Sequence, residues 1–274
     1  MAAEPRIVNA FTADGAGGNP AGVVLDADGL SEAEMLAIAK RLDVPETAFV
    51  SSSKTATHRV RFFSPTDEVD LCGHATIAAW SLLHQNGLPA GDYTQETMAG
   101  VLKVAVQDDG VVFMEQAPAT FYEEIPRSEL AGVLGLAEGD FHETLPPQNV
   151  STGLKDAMVP VKNEAVLAKI RPDFAAITEL SKKYGITCLH VFALCEDGGS
   201  LTAARNFCPL YGIPEEAATG TCTGAMLCYL KEHGALPQHE MYRAEQGRAM
   251  GQLSYIYGKF VGDVVWIGGR AKAA

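Results

Sequence analysis

The stretch DLCGHATIAAWSLL, residues 70–83, decides the fold. A polar turn containing a glycine leads into a helix that is apolar on nearly every face, and such a helix belongs in the interior of a domain. Its first turn leaves backbone N–H groups without intrahelical acceptors and carries the positive end of the helix dipole. Because Gly73 removes the side-chain obstacle, that end can hold an anion such as a carboxylate. Cys72 and His74 flank Gly73, and both can take part in proton transfer.

A second copy of this pattern lies at residues 215–230, with the sequence EEAATGTCTGAMLCYL. When Gly73 is aligned with Gly220, Thr76 falls on Thr223. The pattern R-x-F-x-P precedes both copies, at residues 61–65 and 205–209. The repeat spans about half the chain, so the sequence predicts a duplicated domain with one buried helix in each half. Two helix N-termini are then expected to point at a shared cleft.

The bulk composition limits the class of partner. The chain has 274 residues, of which 47% are hydrophobic and 20% are charged, and its formal net charge is −13. This composition suits a soluble protein of two domains. The acidic balance argues against nucleic acid or an anionic membrane as the main partner. No apolar run is long enough to span a bilayer and no signal-peptide pattern is readable, so a cytoplasmic location is expected.

The cysteines and histidines show no metal-ligand spacing. The six cysteines include no C-x-x-C pair, which favours free thiols in a reducing compartment. The seven histidines form neither H-x-x-x-H nor H-E-x-x-H, so no metal site is predicted. No G-x-G-x-x-G follows a strand, so a nucleotide cofactor is not expected.

Turn and capping signals organise the rest of the chain. Ser31 and Glu34 form a capping box that predicts a helix, Val44-Pro45 lies beyond its end, and Glu46 then stands at the mouth of a strand. Strand-like runs precede and follow each buried helix. Residues 116–118 are the predicted crossing, which gives domains at residues 1–118 and 119–274, with the last strand able to pack back on the first domain.

Two helix N-termini that face one pocket would favour a particular type of reaction. They would bind a carboxylate and stabilise the negative charge that develops when a neighbouring C–H group loses its proton. That proton loss is the difficult step in racemising, epimerising or isomerising an amino acid or a hydroxy acid. An acid/base group must stand beside the carbon, and the candidates are Glu46, Cys72, His74 and Glu216.

The motifs resemble those of a known family, the PhzF-like (phenazine biosynthesis) proteins. Gly18-Asn19-Pro20, Glu46–Val50, Cys72–Thr76 and Glu216–Thr221 match its signatures in order over nearly the whole chain. The resemblance implies an α+β fold of the diaminopimelate epimerase type. In that fold each of two pseudo-symmetric domains is a curved, mostly antiparallel sheet or barrel around a central helix. The resemblance also implies cofactor-free isomerase chemistry and frequent homodimers.

The same resemblance implies roles for particular residues. Glu46 is the acid/base that takes a proton from one carbon and returns it to another, and His74 and Glu216 are supporting polar residues. The residues expected to bind a small carboxylate-bearing substrate are Asn19, Cys72, Gly73, Gly220 and Thr221. A cleft with apolar walls would raise the pKa of Glu46 from about 4.3 towards a working value.

Two alternatives stay open. Related epimerases and proline racemases use two thiols, one before each signature glycine pair. Cys72 fits the first thiol position, but Ala217 stands at the second, and Cys222 and Cys228 are expected in the core. A racemase or epimerase that uses Cys72 with another base is the first alternative. A non-catalytic member of the fold that binds a metabolite or a protein is the second.

The sequence departs from the family pattern at a few positions. Gln252 and Leu253 replace the usual Arg-Pro pair, and this change is expected to alter substrate or partner contacts. Glu216 and Thr221 replace the usual Asp and Ser, and each side chain is one carbon larger, so the pocket floor is expected to be smaller. Glu215 is expected to be the exposed member of the Glu215-Glu216 pair.

Overall fold

The structure is a computed structural model that describes residues 4–196 and 198–274. The chain divides into two units. The first runs to Glu115 and includes Gly268–Ala274, and the second is Gln116–Ile267. Both mix strands with a small number of helices, as an α+β fold requires, so the predicted fold class is confirmed. No helix in the described part of the chain has the length and apolar character to cross a membrane.

The first unit is a sheet around one helix. Its helices are α1 (Glu32–Leu42) and α2 (Gly73–Gln85). Its strands are β1 (Arg6–Ala10), β2 (Asn19–Val24), β3 (Glu46–Ser51), β4 (His58–Phe63), β5 (Glu68–Val69), β6 (Gly91–Thr97), β7 (Gly100–Val106), β8 (Val112–Glu115) and the C-terminal β18 (Ala271–Ala273). Antiparallel pairs predominate, and β2–β3 and β4–β6 are parallel.

Helix α2 is the core of this unit. It packs against β1, β2, β3, β7, β8 and β18, and all nine residues from His74 to Leu82 are buried. Trp80 is fully buried, and its Nε1 donates a hydrogen bond to Gln95 Oε1 at 2.8 Å. Each large apolar side chain buried in this way contributes roughly 1.5–3 kcal/mol. A helix surrounded by strands needs no polar face, which explains its apolar sequence.

Helix α1 ends just before Glu46. The predicted capping box is confirmed, because Ser31 N donates to Glu34 Oε2 at 2.8 Å and Glu34 N donates to Ser31 Oγ at 3.4 Å. Asp43 ends the helix in the left-handed conformation with φ 52°. Glu46 then begins β3, where Ala21 of β2 is its register partner.

The second unit repeats the plan around another helix. Its helices are α3 (Arg127–Leu134), α4 (Glu164–Lys169), α5 (Phe174–Tyr184) and α6 (Gly220–Glu232). Its strands are β9 (Thr120–Glu124), β10 (Gln148–Ser151), β11 (Lys155–Pro160), β12 (Leu189–Leu194), β13 (Thr202–Cys208), β14 (Ile213–Glu216), β15 (Tyr242–Gln246), β16 (Ser254–Val261) and most of β17 (Val264–Gly269). Helix α6 packs against β10, β11 and β16 and is buried from Cys222 to Leu230.

The predicted duplication is visible in the hydrogen bonds of the two buried helices. Both α2 and α6 have 13 residues. Thr76 Oγ1 donates to the N-cap carbonyl of Cys72 at 2.8 Å, and Thr223 Oγ1 donates to the N-cap carbonyl of Thr219 at 2.9 Å. The aligned threonines therefore make the same bond in each unit.

The R-x-F-x-P pattern also has the same role twice. Arg61 binds Glu68 through Nε and Nη2, and Arg205 binds Glu215 through the same two atoms. Glu68 and Glu215 each stand five residues before the signature glycine. The expectation that Glu215 is exposed was wrong, because the bidentate ion pair with Arg205 leaves only 14% of its side chain exposed.

The expectation that all cysteines are free thiols was also wrong. Cys188 and Cys208 form a disulfide, with their Cα atoms 4.5 Å apart. They lie one residue beyond the Leu189–Phe207 register pair of the antiparallel β12 and β13, so pairing of the strands brings them face to face. Cys222 and Cys228 are buried free thiols, as expected.

Candidate active site

Glu46, Cys72 and His74 meet in the first unit. Glu46 Oε2 lies 3.5 Å from Cys72 Sγ and 3.4 Å from His74 Nε2. Cys72 Sγ lies 3.3 Å from His74 Nδ1. The strand start at Glu46 and the helix start at Gly73 produce this cluster, because β3 packs against α2. Three proton-carrying groups are thus within reach of one another.

The environment of Glu46 suits a proton carrier. Only 22% of its side chain is exposed. Burial raises the pKa of Glu46, and the hydrogen bond from Cys72 opposes that rise without overcoming it. A carboxyl whose pKa is raised holds a transferred proton more readily near neutral pH than an ordinary glutamate does.

The N-terminus of α2 stands beside this cluster. Among the residues that the structure describes, Cys72 makes no side-chain cap to the helix, whereas α1, α4 and α5 are capped by Ser31, Asn163 and Asp173. A Cβ built on Gly73 would meet only Met114 Cε, at 3.8 Å. The glycine is therefore not required by packing inside the unit, which leaves space next to the first-turn N–H groups.

Asn19 begins β2 and is 97% buried, since its exposed fraction is 3%. It pairs with Ala10 of β1, and Ala21, two residues further on, is the register partner of Glu46. Gly18 takes φ +89°, and a Cβ there would lie 2.5 Å from the carbonyl oxygen of Ala10. Gly18 therefore lets the chain approach β1 closely, which places Asn19 at the start of the strand that neighbours Glu46.

The second unit holds its own polar cluster at the N-terminus of α6. Glu216 ends β14, and its Oε2 accepts a hydrogen bond from Thr219 Oγ1 at 2.5 Å. Gly220 is buried, Thr221 is partly buried, and the Thr221 carbonyl accepts from Thr152 Oγ1 at 3.2 Å. Thr219 is the N-cap residue of α6, and among the described residues its side chain makes no capping hydrogen bond to that helix.

Two buried residues in this cluster were missed by the sequence reasoning as site residues. Gln246 Nε2 donates to the Glu216 carbonyl at 2.8 Å, and Asn206 Nδ2 donates to Thr219 Oγ1 at 3.0 Å. Asn206 lies inside the second R-x-F-x-P pattern, which was the available signal for it, although the pattern does not show which side chains Asn206 contacts. Gln246 ends β15 and lies outside the four signature motifs.

A buried acid stands behind α6. Asp156 has 1% exposure, accepts from Cys188 N at 3.1 Å and accepts from Cys222 Sγ at 3.2 Å. Burial raises the pKa of Asp156 to about 7, and it raises the pKa of the Cys222 thiol as well. The pair is protonated and neutral over much of the range below neutral pH.

Two groups in the described chain have donor atoms close enough to hold a metal ion. Glu46, Cys72 and His74 form one, and Asp156, Cys188 and Cys222 form the other, with all ligand atoms in each group within 4.8 Å of one another. Cys188 is bound in the disulfide, which removes it as a thiolate ligand. Cys72 Sγ lies at hydrogen-bond distance from Glu46 Oε2 and from His74 Nδ1, and His74 Nε2 lies at the ion-pair distance of 3.4 Å from Glu46 Oε2, so we assign no metal there.

A groove of about 660 Å³ lies in the second unit, and Gln246 of the Glu216 cluster is among the residues that line it. Leu167, Ile170, Phe174 and Ala203 give it apolar walls, and ion-paired arginines such as Arg205 line its side. None of the residues that the sequence predicted for the site lines it. The groove is not assigned to the reaction.

The fold defines a class, the diaminopimelate epimerase-like proteins. A hydroxyproline epimerase from Agrobacterium vitis shares that fold, with a TM-score of 0.63 at 13% identity over 98% of this chain and 90% of its own. Within the class, the chain belongs to the phenazine biosynthesis-like, or PhzF-like, family, whose sequence model matches residues 8–272.

Relatives agree with this assignment. An uncharacterized isomerase from Deinococcus radiodurans is 41% identical over 239 residues, which are 84% of this chain and 77% of the relative. A trans-2,3-dihydro-3-hydroxyanthranilate isomerase from Pseudomonas aeruginosa is 27% identical over 93% of this chain and 90% of its own. The crystal structure of the Bacillus anthracis phenazine biosynthesis protein of the PhzF family has a TM-score of 0.89 at 32% identity, covering 100% of this chain and 98% of that one. The chain is an enzyme of the isomerase class.

Proposed function

We propose that this isomerase moves a proton on a small carboxylate-bearing metabolite without a cofactor, with Glu46 as the acid/base. One observation carries the proposal: a largely buried glutamate of raised pKa lies against Cys72 and His74 at the start of the buried helix α2. Such a carboxyl is suited to accept a proton from carbon and hold it for return.

The contacts of Glu46 divide its two oxygens between two tasks. Oε2 is oriented by Cys72 Sγ at 3.5 Å and His74 Nε2 at 3.4 Å. Oε1 then carries the proton from the donor carbon to the acceptor carbon. A positively charged His74, with Nε2 at 3.4 Å from Oε2, would stabilise the ionised form of Glu46 before the transfer, and this attraction is lost once the carboxyl is neutral.

The substrate carboxylate binds the first turn of α2 in this proposal. Unpaired N–H groups and the helix dipole favour an anion there, and Gly73 leaves the space for it. Asn19, beside Glu46, is proposed to donate a hydrogen bond to the substrate. Gly220 and Thr221 at the start of α6 are proposed to bind another polar group of the same molecule, with Glu216 as the supporting acid.

The Pseudomonas aeruginosa relative suggests a substrate class. Its name describes an isomerase that acts on a cyclic, unsaturated hydroxy amino acid. We propose that this chain acts on a related unsaturated acid whose acidic C–H group is conjugated with the carboxylate or with a double bond. A cytoplasmic location and a homodimer remain predictions of the sequence.

A racemase that uses Cys72 is the second candidate, and a specific contact favours it. The thiol lies at hydrogen-bond distance from both Glu46 and His74, so either could take its proton. The resulting thiolate would act as the base that removes a proton from the α-carbon. The second thiol of the related racemases aligns with Ala217 in this chain, so that position supplies no thiol to act together with Cys72.

The experiment that separates these candidates is incubation in deuterated water. Small amino, hydroxy and unsaturated acids are incubated with the wild-type protein, and each is followed by proton NMR and by chiral chromatography. The proposal predicts deuterium at one carbon of an unsaturated acid together with a shifted double bond. Deuterium at the α-carbon with loss of optical purity and no double-bond shift would instead establish the racemase.

A further inference from the structure

Three donors and acceptors meet around the hydroxyl of Thr219. Oγ1 lies 3.0 Å from Asn206 Nδ2, 3.0 Å from Gln246 Nε2 and 2.5 Å from Glu216 Oε2. A threonine hydroxyl has one proton and two acceptor sites. The two amide groups fill the acceptor sites, so the single hydroxyl proton is directed at Glu216.

The amide of Gln246 has one allowed orientation. Its Nε2 donates to the Glu216 carbonyl at 2.8 Å, and its Oε1 accepts from Thr219 N at 3.2 Å. Because both partners are backbone groups of fixed character, a flipped amide would face two mismatched contacts. Gln246 is 99% buried, with 1% exposure, so water does not substitute for these bonds. Its donation to Thr219 Oγ1 is therefore set by the backbone.

His190 sets the amide of Asn206. The ring is fully buried, and burial lowers the pKa of His190 to about 4, so it is neutral near pH 7. Its Nδ1 lies 3.2 Å from Asn206 Oδ1, and its Nε2 has no hydrogen-bond partner among the described residues. An unpaired buried acceptor is tolerated better than an unpaired buried N–H group. The ring proton is therefore on Nδ1, which donates to Asn206 Oδ1 and turns Nδ2 towards Thr219.

We propose that His190, Asn206 and Gln246 are positioning residues that direct the Thr219 hydroxyl proton onto Glu216 and hold Glu216 as an ionised acceptor in one orientation. A Glu216 protonated on Oε1 would still accept from Thr219 Oγ1 through Oε2, but as a neutral acceptor. Donation to an ionised carboxylate is a charge-assisted bond, roughly twice as strong as a neutral one. The part of this inference that concerns turnover rests on the proposed isomerase function.

The two units differ at the corresponding position. Cys72 and Thr219 are the N-cap residues of the two buried helices, and each donates to an acid of its own unit. The thiol is a weak donor at 3.5 Å from Glu46, whereas the hydroxyl is a strong donor at 2.5 Å from Glu216. The duplicated site thus leaves one acid free to change its protonation and anchors the other.

The test compares Thr219→Val with Thr219→Ser and Thr223→Val. Thr219→Val keeps the shape and removes the hydroxyl, and Thr219→Ser restores it. Thr223→Val is the matched control, because Thr223 is a buried threonine on the same helix whose hydroxyl donates to the Thr219 carbonyl rather than to Glu216. In each variant the Glu216 carboxyl carbon is followed by ¹³C NMR as a function of pH without substrate, assigned with Glu216→Gln. The pH profiles of kcat and KM are measured beside it.

The proposal predicts that Glu216 takes up its proton at a higher pH in Thr219→Val than in the wild type and in the two other variants. The kcat/KM value is expected to fall about 10- to 100-fold in Thr219→Val, as for loss of a hydrogen bond to a charged group, with its acid limb moved to higher pH. Gln246→Met should change both readouts in the same direction. An unchanged Glu216 titration in Thr219→Val, or equal effects of Thr219→Val and Thr223→Val, would overturn the proposal. Because the NMR readout uses no substrate, it stands even if the isomerase activity is not found.

Discussion

At the scale of single residues, the acids of this chain separate by environment. Burial raises the pKa of Glu46 and of Asp156. Acids that accept hydrogen bonds from an arginine or a hydroxyl have lowered pKa values. The hydrogen bond from Arg61 lowers the pKa of Glu68, and the hydrogen bond from the Ser53 hydroxyl lowers the pKa of Glu96. A pair of acids held in opposite states is the usual basis of acid/base chemistry. Of Glu46 and Asp156, whose pKa values burial raises, Glu46 is the one that lies beside the first signature turn.

Gly73→Ala tests whether the first turn of α2 is reserved for a ligand. A Cβ at this position meets only Met114 Cε at 3.8 Å, and alanine favours a helix more than glycine does, so the free energy of unfolding should change by no more than ~1 kcal/mol. The KM for the substrate should nevertheless rise about 10-fold, equivalent to ~1.4 kcal/mol of binding. Urea unfolding and steady-state kinetics measure the two effects. A variant that binds normally would show that the turn holds no carboxylate.

Asp156→Asn tests the buried acid through the pH dependence of stability. The native pKa of about 7 lies above the ordinary value of 3.8, so between these pH values the native state holds a proton that the unfolded state has lost. Its contribution to the free energy of unfolding therefore falls as the pH rises from about 4 to about 7. The variant lacks this contribution, so its free energy of unfolding should rise relative to that of the wild type between about pH 4 and about pH 7, by a few kcal/mol at most.

The pKa of His190 is shifted in the opposite direction, so its contribution to the pH dependence of stability has to be separated from that of Asp156. Its native pKa of about 4 lies below the ordinary 6.5, so its contribution to stability is present above pH 6.5 and is lost as the pH falls towards 4. Urea unfolding of wild type and Asp156→Asn at several pH values, compared at each pH, cancels the His190 contribution. A difference between the two proteins that does not depend on pH would contradict the assignment for Asp156.

At the scale of elements, local signals were predictable from sequence and distant contacts were not. The apolar α2 and α6 and the Ser31 capping box follow from neighbouring residues, and all are confirmed. The contact of Glu46 with Cys72 joins positions 26 residues apart, and sequence alone could place it only by family resemblance. The position of Glu215 depended on which arginine faced it across β13 and β14, and no local pattern shows that.

The disulfide between β12 and β13 gives a measurable prediction at this scale. The structure leaves Cys72, Cys195, Cys222 and Cys228 as free thiols, so thiol titration of the denatured, unreduced protein should count four rather than six. The bridge joins residues 20 apart, and closing such a loop is worth about 3 kcal/mol in the chain-entropy model. Cys188→Ser with Cys208→Ser should lower the free energy of unfolding by about that amount. A count of six would mean that the two thiols lie opposite each other unbonded.

At the scale of the whole molecule, the duplication explains both what could be predicted and what could not. Repeated motifs predicted two related units with one buried helix each, and the structure confirms the fold class. The repeat is not exact, since Cys72 is the N-cap residue of the buried helix in the first unit and Thr219 is the N-cap residue in the second. The substrate could not be predicted from the sequence, because the fit of a ligand depends on how side chains pack in space rather than on a sequence pattern.

The central claim is that Glu46, rather than Cys72, moves the proton. The most direct test is the rate of deuterium incorporation from deuterated water, measured by NMR for wild type, Glu46→Gln and Cys72→Ser with the substrate that the acid panel identifies. The account predicts a loss of about 10²- to 10⁴-fold or more in Glu46→Gln, as for removal of a general acid/base, with exchange largely kept in Cys72→Ser. Exchange that survives in Glu46→Gln and disappears in Cys72→Ser would contradict it and make the thiol the base.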